Sequence, residues 1–215
     1  NRVLDLRTPA AQAIMRIRSG VVMLFMEYLD SQGFVGINTP KLLGGASEGG
    51  SSCFMLDYFG QPGCLAQSPQ LYKQMVSACA DFERVYEIGP VFRAENSQTR
   101  RHLCEFTGLD MEMAIHEHYY EVLDVFSSLF IHVFDGINNK YKSELEVISQ
   151  VYPFEPLKYC RPTLRITFAE GIALLREAGV TEEEQGAFDD LSTPVEKKLG
   201  DIVLKKFGTD FYCMD

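Results

Sequence analysis

Apolar residues first recur at helical spacing at Ala10, Ala13, Ile14, Ile17, Val21, Leu24, Phe25 and Tyr28, a stripe along one face of a helix. Thr8-Pro9 ahead of them supplies an N-cap and a proline at the first helical position, and Gly33 supplies a stop. Residues 34–39 then read as a strand that Pro40 ends, since proline has no amide hydrogen to give a sheet. A flexible loop follows at 44–50, rich in glycine with one acid, Glu48. Two short runs, 52–59 and 64–67, predict a hairpin around Gly60-Gln61-Pro62-Gly63, and Ser68-Pro69 opens a second helix by the same capping logic.

Strands predicted at 84–95 and 105–115 flank a polar loop at 96–104, and a long amphipathic helix is predicted over 119–145. A short strand at 163–168 follows a stretch bounded by prolines. Thr167-Phe168-Ala169-Glu170 and Thr193-Pro194-Val195-Glu196 both have the spacing of a capping box that starts a helix. The acidic run 182–190 reads as a solvated loop, and a further strand begins at Phe211. Hairpins segregated from helices suggest an α+β fold. No repeat, low-complexity tract or linker divides the 215 residues, which are enough to bury a real core.

Composition excludes some classes. With 46% hydrophobic and 23% charged residues the chain is an ordinary globular one. Its longest apolar run, 21–26, falls far short of the roughly 20 residues of a membrane helix. Asn1-Arg2-Val3-Leu4-Asp5 has neither an initiator Met nor a signal pattern, so the chain is expected to be an excised piece of something longer. Six scattered cysteines form no C-x-x-C pair, which argues against structural zinc and for a reduced compartment. Cys53 and Cys64 fall across the predicted hairpin from each other, where two buried thiols are expected rather than a bridge. The net charge of −10 is uneven, with 10 basic against 13 acidic residues in 1–120 and 10 against 17 in the rest. Such a chain is a poor generic nucleic-acid binder, so an RNA partner needs phosphate-binding surface elsewhere. His116 and His118 alone make no metal site and read as a helix-entry loop.

Alternate residues of a strand share a face. Arg93 and Glu95 therefore point one way, Phe92 and Ala94 the other. On the return strand Phe106, Gly108, Asp110 and Glu112 share a face opposite Leu109, Met111 and Met113. If the apolar set faces the core, the other face gathers an arginine, three carboxylates and an aromatic ring, with Gly108 leaving room for a ligand. Arg100, Arg101 and His102 in the loop add positive charge. A solvated sheet face laced by cross-strand ion pairs has the same pattern. In the second helix Gln70 and Lys73 lie one turn apart on one face, a pairing that a surface lysine also produces.

Phe92-Arg93-Ala94-Glu95, with Arg101-His102-Leu103-Cys104-Glu105-Phe106-Thr107-Gly108-Leu109-Asp110-Met111-Glu112-Met113 after the loop, closely resembles motif 2 of the class II aminoacyl-tRNA synthetases. The first long helix, its strand and Pro40 look like motif 1, the family's dimerisation element. Leu65-Ala66-Gln67-Ser68-Pro69-Gln70-Leu71-Tyr72-Lys73 and the loop 44–52 are similar to aspartyl-tRNA synthetases of the eukaryotic and archaeal type. Asparaginyl enzymes share Phe-Arg-Ala-Glu and Arg-Arg-His-Leu, but usually have an uncharged residue at Lys73 and tend to read Val-Glu-Ala-Glu where this chain has Leu109-Asp110-Met111-Glu112.

The resemblance implies a class II catalytic domain, an antiparallel sheet flanked by helices, with motif 3 and the acidic metal site beyond residue 215 and the anticodon-binding domain before residue 1. It implies ATP-dependent activation of L-aspartate and its transfer to tRNA(Asp) by a cytoplasmic homodimer, with Mg²⁺ bridging the phosphates and no metal ligand within this chain. Alone, this chain is expected to be inactive or severely impaired. Arg93 would bind the α-phosphate and reach the substrate carboxylate. Glu95 would accept from the adenine amino group or position the loop, Phe106 would stack on adenine, and Arg101, His102 and Leu103 would line the ATP site. Ser47, Gln70 and Asp110 would anchor the aspartate ammonium, Glu48 would close the pocket, and Lys73 would read the side-chain carboxylate. The alternatives are an asparaginyl enzyme, an amidating paralogue, or a non-catalytic dimerisation or binding module.

Overall fold

The computed structural model of the chain describes residues 1–45, 53–96 and 102–215. A one-turn helix, α1 (Arg2–Asp5), precedes the long α2 (Pro9–Ser31), which starts as its sequence dictates: the Thr8 side chain accepts from the Ala11 amide and Pro9 sits in the first turn. The central sheet has the order β1-β5-β6, from β1 (Val35–Gly36), β5 (Arg84–Phe92) and β6 (Glu105–Met113). The β5–β6 pair is antiparallel, as expected. The β1–β5 pair and the outlying pair β7 (Leu164–Ile166) and β8 (Tyr212–Met214) are parallel, which the antiparallel expectation did not include.

A small second sheet joins β2 (Leu42–Leu43), β4 (Gln61–Leu65) and β3 (Met55–Tyr58). Its hairpin turns earlier than the sequence suggested. Phe59 and Gly60, both at positive φ (51° and 78°), make a two-residue turn of the twist that suits a hairpin. Gln61, Pro62 and Gly63 belong to β4. Pro62 is tolerated because β2 pairs only with Leu65 and Cys64, so no partner needs its missing amide. Cys64 is buried, and burial first, then the neighbouring Cys53, pushes its thiol up. Cys53 is only half-buried, and both thiols are free.

The helix predicted over 119–145 is two helices, α4 (Tyr120–Lys140) and α5 (Lys142–Val151). The break falls at Tyr141, whose ring occupies a notch at Gly20 of α2: a Cβ there would lie 2.4 to 2.7 Å from the tyrosine ring and hydroxyl. Ile14, expected in the buried stripe, is exposed along the groove between α2 and α5. The capping box at Thr167–Glu170 forms in full and starts α6 (Phe168–Glu177). At the second box, α7 (Thr193–Phe207) begins one residue earlier than that spacing suggests, with Ser192 as its N-cap. The acidic run 182–190 is largely exposed, pinned from inside by Arg176, which donates to the carbonyls of Val180, Thr181 and Gln185.

Two apolar cores result among the described residues. In one, Leu24, Phe25 and Leu29 of α2 and Val125, Leu129 and Val133 of α4 pack with Phe34 and Tyr86 on one face of the central sheet. The other gathers Ile166, Ile172, Leu175, Val195, Leu199 and Val203 among α6, α7 and β7. Phe211 joins them, stacking on Phe130 at 5.4 Å and meeting Phe134 edge-on.

Candidate functional site

The register of β5 and β6 sets Val91 opposite Phe106, Gly89 opposite Gly108, Glu87 opposite Asp110 and Val85 opposite Glu112. Side chains two residues apart share a face, so these form one polar floor. Tyr86, Ile88, Leu109, Met111 and Met113 point the other way, into or against the first core. Leu109 and Met111 are only half-buried, because a crevice of about 150 Å³ remains between them and Phe126 and Phe130.

Arg93 lies just past the end of β5. Its amide donates to the Cys104 carbonyl at 3.0 Å, extending the hairpin by one bond. Its Nε donates to the carbonyl of buried Gln67 at 3.3 Å, and its guanidinium sits 5.5 Å from the Phe106 ring centre. A flat cation held along an aromatic face keeps its remaining N–H groups in one plane, the geometry that meets phosphate or carboxylate two-pronged. The Gln67 segment is fixed in turn by Ala66, whose amide donates to Lys41 and whose carbonyl accepts from Phe92.

α3 (Gln70–Cys79) lies against the polar face and buries Lys73, which is 2% exposed. The surface-lysine reading therefore fails. The ammonium stands 3.4 Å from Asp110 Oδ1 and 3.6 Å from Glu112 Oε2, and donates to the Met111 carbonyl at 3.3 Å. These are long contacts, and the Asp110 side chain keeps 29% of its exposure, so the pair is not saturated. Gly108 leaves space for it: a Cβ there would lie 2.5 Å from Asp110 Oδ2 and 3.0 Å from Val91 Cγ2.

Arg93, Phe106, Lys73 and Asp110 thus share one floor. Glu95 and His102 meet beyond the ends of β5 and β6, with Nε2 3.6 Å from Oε2, an ion pair when the imidazole is protonated. Leu103 is exposed, and so is Gln70 on the first turn of α3. Ser47, Glu48 and Arg101 lie outside the described residues. Sequence reasoning missed Glu87, whose carboxylate is buried and bonded to Lys41 and Thr39. The alternation found at Arg93 and Glu95 contains the signal, since Glu87 lies on the same face six residues earlier. His116 and His118 do form a helix-entry loop, closed by Glu121, which accepts from the amides of 116, 117 and 118.

An antiparallel hairpin with an arginine over a phenylalanine, a buried lysine between carboxylates and a helix-flanked sheet behind it defines the class. The chain belongs to the class II tRNA synthetases: the family described as tRNA synthetases class II (D, K and N) matches residues 1–214. Within it, the chain is 56% identical over 214 residues to the cytoplasmic aspartate–tRNA ligase 1 of Arabidopsis thaliana, covering 100% of this chain and 40% of that protein. An aspartyl tRNA synthetase from Entamoeba histolytica has a similar structure, with a TM-score of 0.84 at 50% identity over 100% of this chain and 39% of that one. An asparaginyl-tRNA synthetase from Pyrococcus horikoshii, complexed with asparaginyl-adenylate, is further off, at 0.77 and 33% over 93% of this chain and 44% of that one. The chain spans about two fifths of the length of the curated relatives it matches.

Proposed function

We propose that the intact protein carrying this chain activates L-aspartate with ATP and transfers it to tRNA(Asp) in the cytoplasm. Residues 1–215 supply the part of the catalytic domain that holds motifs 1 and 2. The observation that carries this is the buried ammonium of Lys73 among unsaturated carboxylates. Aspartate and asparagine are nearly isosteric, so shape separates them poorly, whereas a desolvated cation favours a carboxylate and leaves an amide badly matched.

In this reading the aspartate ammonium lies against Asp110, with Gln70 and Ser47 beside it, and its side-chain carboxylate faces Lys73. Glu48 closes the pocket. Arg93 neutralises both the α-phosphate and the α-carboxylate as they approach, Phe106 offers ring surface to adenine, and Glu95, Arg101, His102 and Leu103 line the nucleotide site. A carboxylate oxygen attacks the α-phosphorus, the bond to the bridging oxygen breaks and pyrophosphate leaves. Positioning and charge neutralisation supply most of the rate. Mg²⁺ supplies charge neutralisation on the triphosphate when bound. Among the described residues no group of three His, Cys, Asp or Glu could hold it, and no metal ligand is assigned to them. A second copy docks along α2, which leaves Met23 exposed.

The test is ATP–pyrophosphate exchange by the intact protein, with aspartate and with asparagine, for wild type and Lys73→Leu. Wild type is expected to require aspartate, and the variant to lose about 10²-fold or more of that activity with the ATP KM little changed. Exchange driven by asparagine supports the asparaginyl reading instead. An unchanged aspartate preference in the variant removes Lys73 from the recognition role.

A further inference from the structure

The pair Lys41–Glu87 has no role above, yet it stands on the same floor. Glu87 is 3% exposed. Its Oε1 accepts from Lys41 Nζ at 2.6 Å and from the Thr39 amide at 3.1 Å, and its Oε2 accepts from the Thr39 hydroxyl at 2.7 Å. Lys41 also donates to Thr39 Oγ1 at 2.8 Å, closing a ring of bonds on either side of Pro40. Burial pushes the Glu87 carboxyl up, but the hydrogen bonds from Lys41 and Thr39 outweigh it and hold the group below its ordinary value.

What makes the pair more than a brace is its neighbour. Glu87 is the cross-strand partner of Asp110, and like charges directly opposite one another repel across a sheet. Each carboxylate has its own lysine, Lys41 for Glu87 and Lys73 for Asp110. The bonds to Glu87 are short and its carboxylate is buried, whereas the Asp110–Lys73 contact is long and partly open. The Lys41 stem crosses the floor over Gly89, where a Cβ would lie 3.4 Å from its Cε and 3.6 Å from its Nζ. Gly89 is in turn paired with Gly108, next to Asp110 along the floor.

We propose that Lys41 is a specificity-determining positioning residue, which cancels the charge of Glu87 so that Lys73 remains available to the substrate's side-chain carboxylate. The proposal rests on the aspartate-activation reading and deepens it. Without Lys41, a buried anion stands beside the pocket that takes an anionic side chain, and aspartate is repelled while ATP and neutral asparagine are not. Cancelling that anion a second way restores the pocket.

The experiment is ATP–pyrophosphate exchange by the intact protein for Lys41→Met, Glu87→Gln and the double variant, with thermal unfolding of each. Lys41→Met is expected to raise the aspartate KM about tenfold with the ATP KM within about twofold. Glu87→Gln is expected to leave the aspartate KM within about twofold or to lower it, and the double variant to return within about threefold of wild type. A brace without an electrostatic role gives another pattern, with both single variants similarly damaged, the double no better, and the ATP KM rising with that for aspartate. That pattern overturns the proposal. If Lys41→Met does not fold, Glu87→Gln decides alone, since a rise in its aspartate KM comparable to about tenfold contradicts the assigned charge. A wild type that exchanges with no added aspartate, or only with asparagine, fails the underlying reading instead.

Discussion

Gly108 and Asp110 stand two residues apart on one face of β6, and the missing side chain of the first decides where the carboxylate of the second can sit. Gly108→Ala is expected to push Asp110 off Lys73 and raise the aspartate KM by about tenfold, with a smaller effect on that for ATP; steady-state exchange kinetics measure both. Glu121 gives a different single-residue expectation. The amides of Glu117, His118 and His116, in that order of importance, hold its carboxyl down at about 2 against an ordinary 4.5. A depressed acid contributes stability above the higher value and loses it as the pH falls through the lower one. Thermal scans between pH 4.5 and 2 are therefore expected to show a steeper loss for wild type than for Glu121→Gln; equal slopes would dismiss the cap. At this scale the shared face of Arg93, Phe106 and Asp110 was legible, because a period of two fixes which side chains lie together. The clasp of Glu87 by Lys41 was not, since it depends on the Pro40 segment running beside β5, a contact that no local pattern encodes.

Among the elements, α2 and α4 were readable from their stripes and the break between α4 and α5 was not. Tyr141 leaves helical geometry with its ring in the Gly20 notch of another helix, and sequence periodicity carries no information about such a partner. Gly20→Ala is expected to destabilise the protein by about 1–3 kcal/mol, because a methyl group cannot share that space; chemical denaturation reads the cost, and no change would mean that Tyr141 moves freely. The turn at Phe59-Gly60 allows a change in the opposite direction. Phe59 is exposed and holds a φ of 51°, which Asn tolerates better than a bulky ring. Phe59→Asn is expected to raise the melting temperature, and a fall would show that the ring is bound elsewhere.

At the scale of the whole molecule, the α+β class followed from hairpins kept apart from helices, whereas the parallel pairings β1–β5 and β7–β8 join strands too distant in sequence for any turn to announce them. The two cores meet where Phe211 stacks on Phe130 and where Ser127 Oγ approaches Cys213 Sγ at 3.3 Å. Native-state hydrogen exchange is expected to show α6, α7, β7 and β8 opening as a group of their own, and Phe211→Ala to lower protection there selectively. A single opening shared by both cores would reject this division. The division also has a meaning in time. Every floor residue from Thr39 to Glu112, and α4 beneath them, precedes the first residue of the second core in the chain. At roughly 5–20 residues per second, a ribosome has made these floor residues and their support some seconds before the second core is fully translated. The newborn chain can thus begin to sort the floor charges into their pairs while the rest of the molecule is still being written.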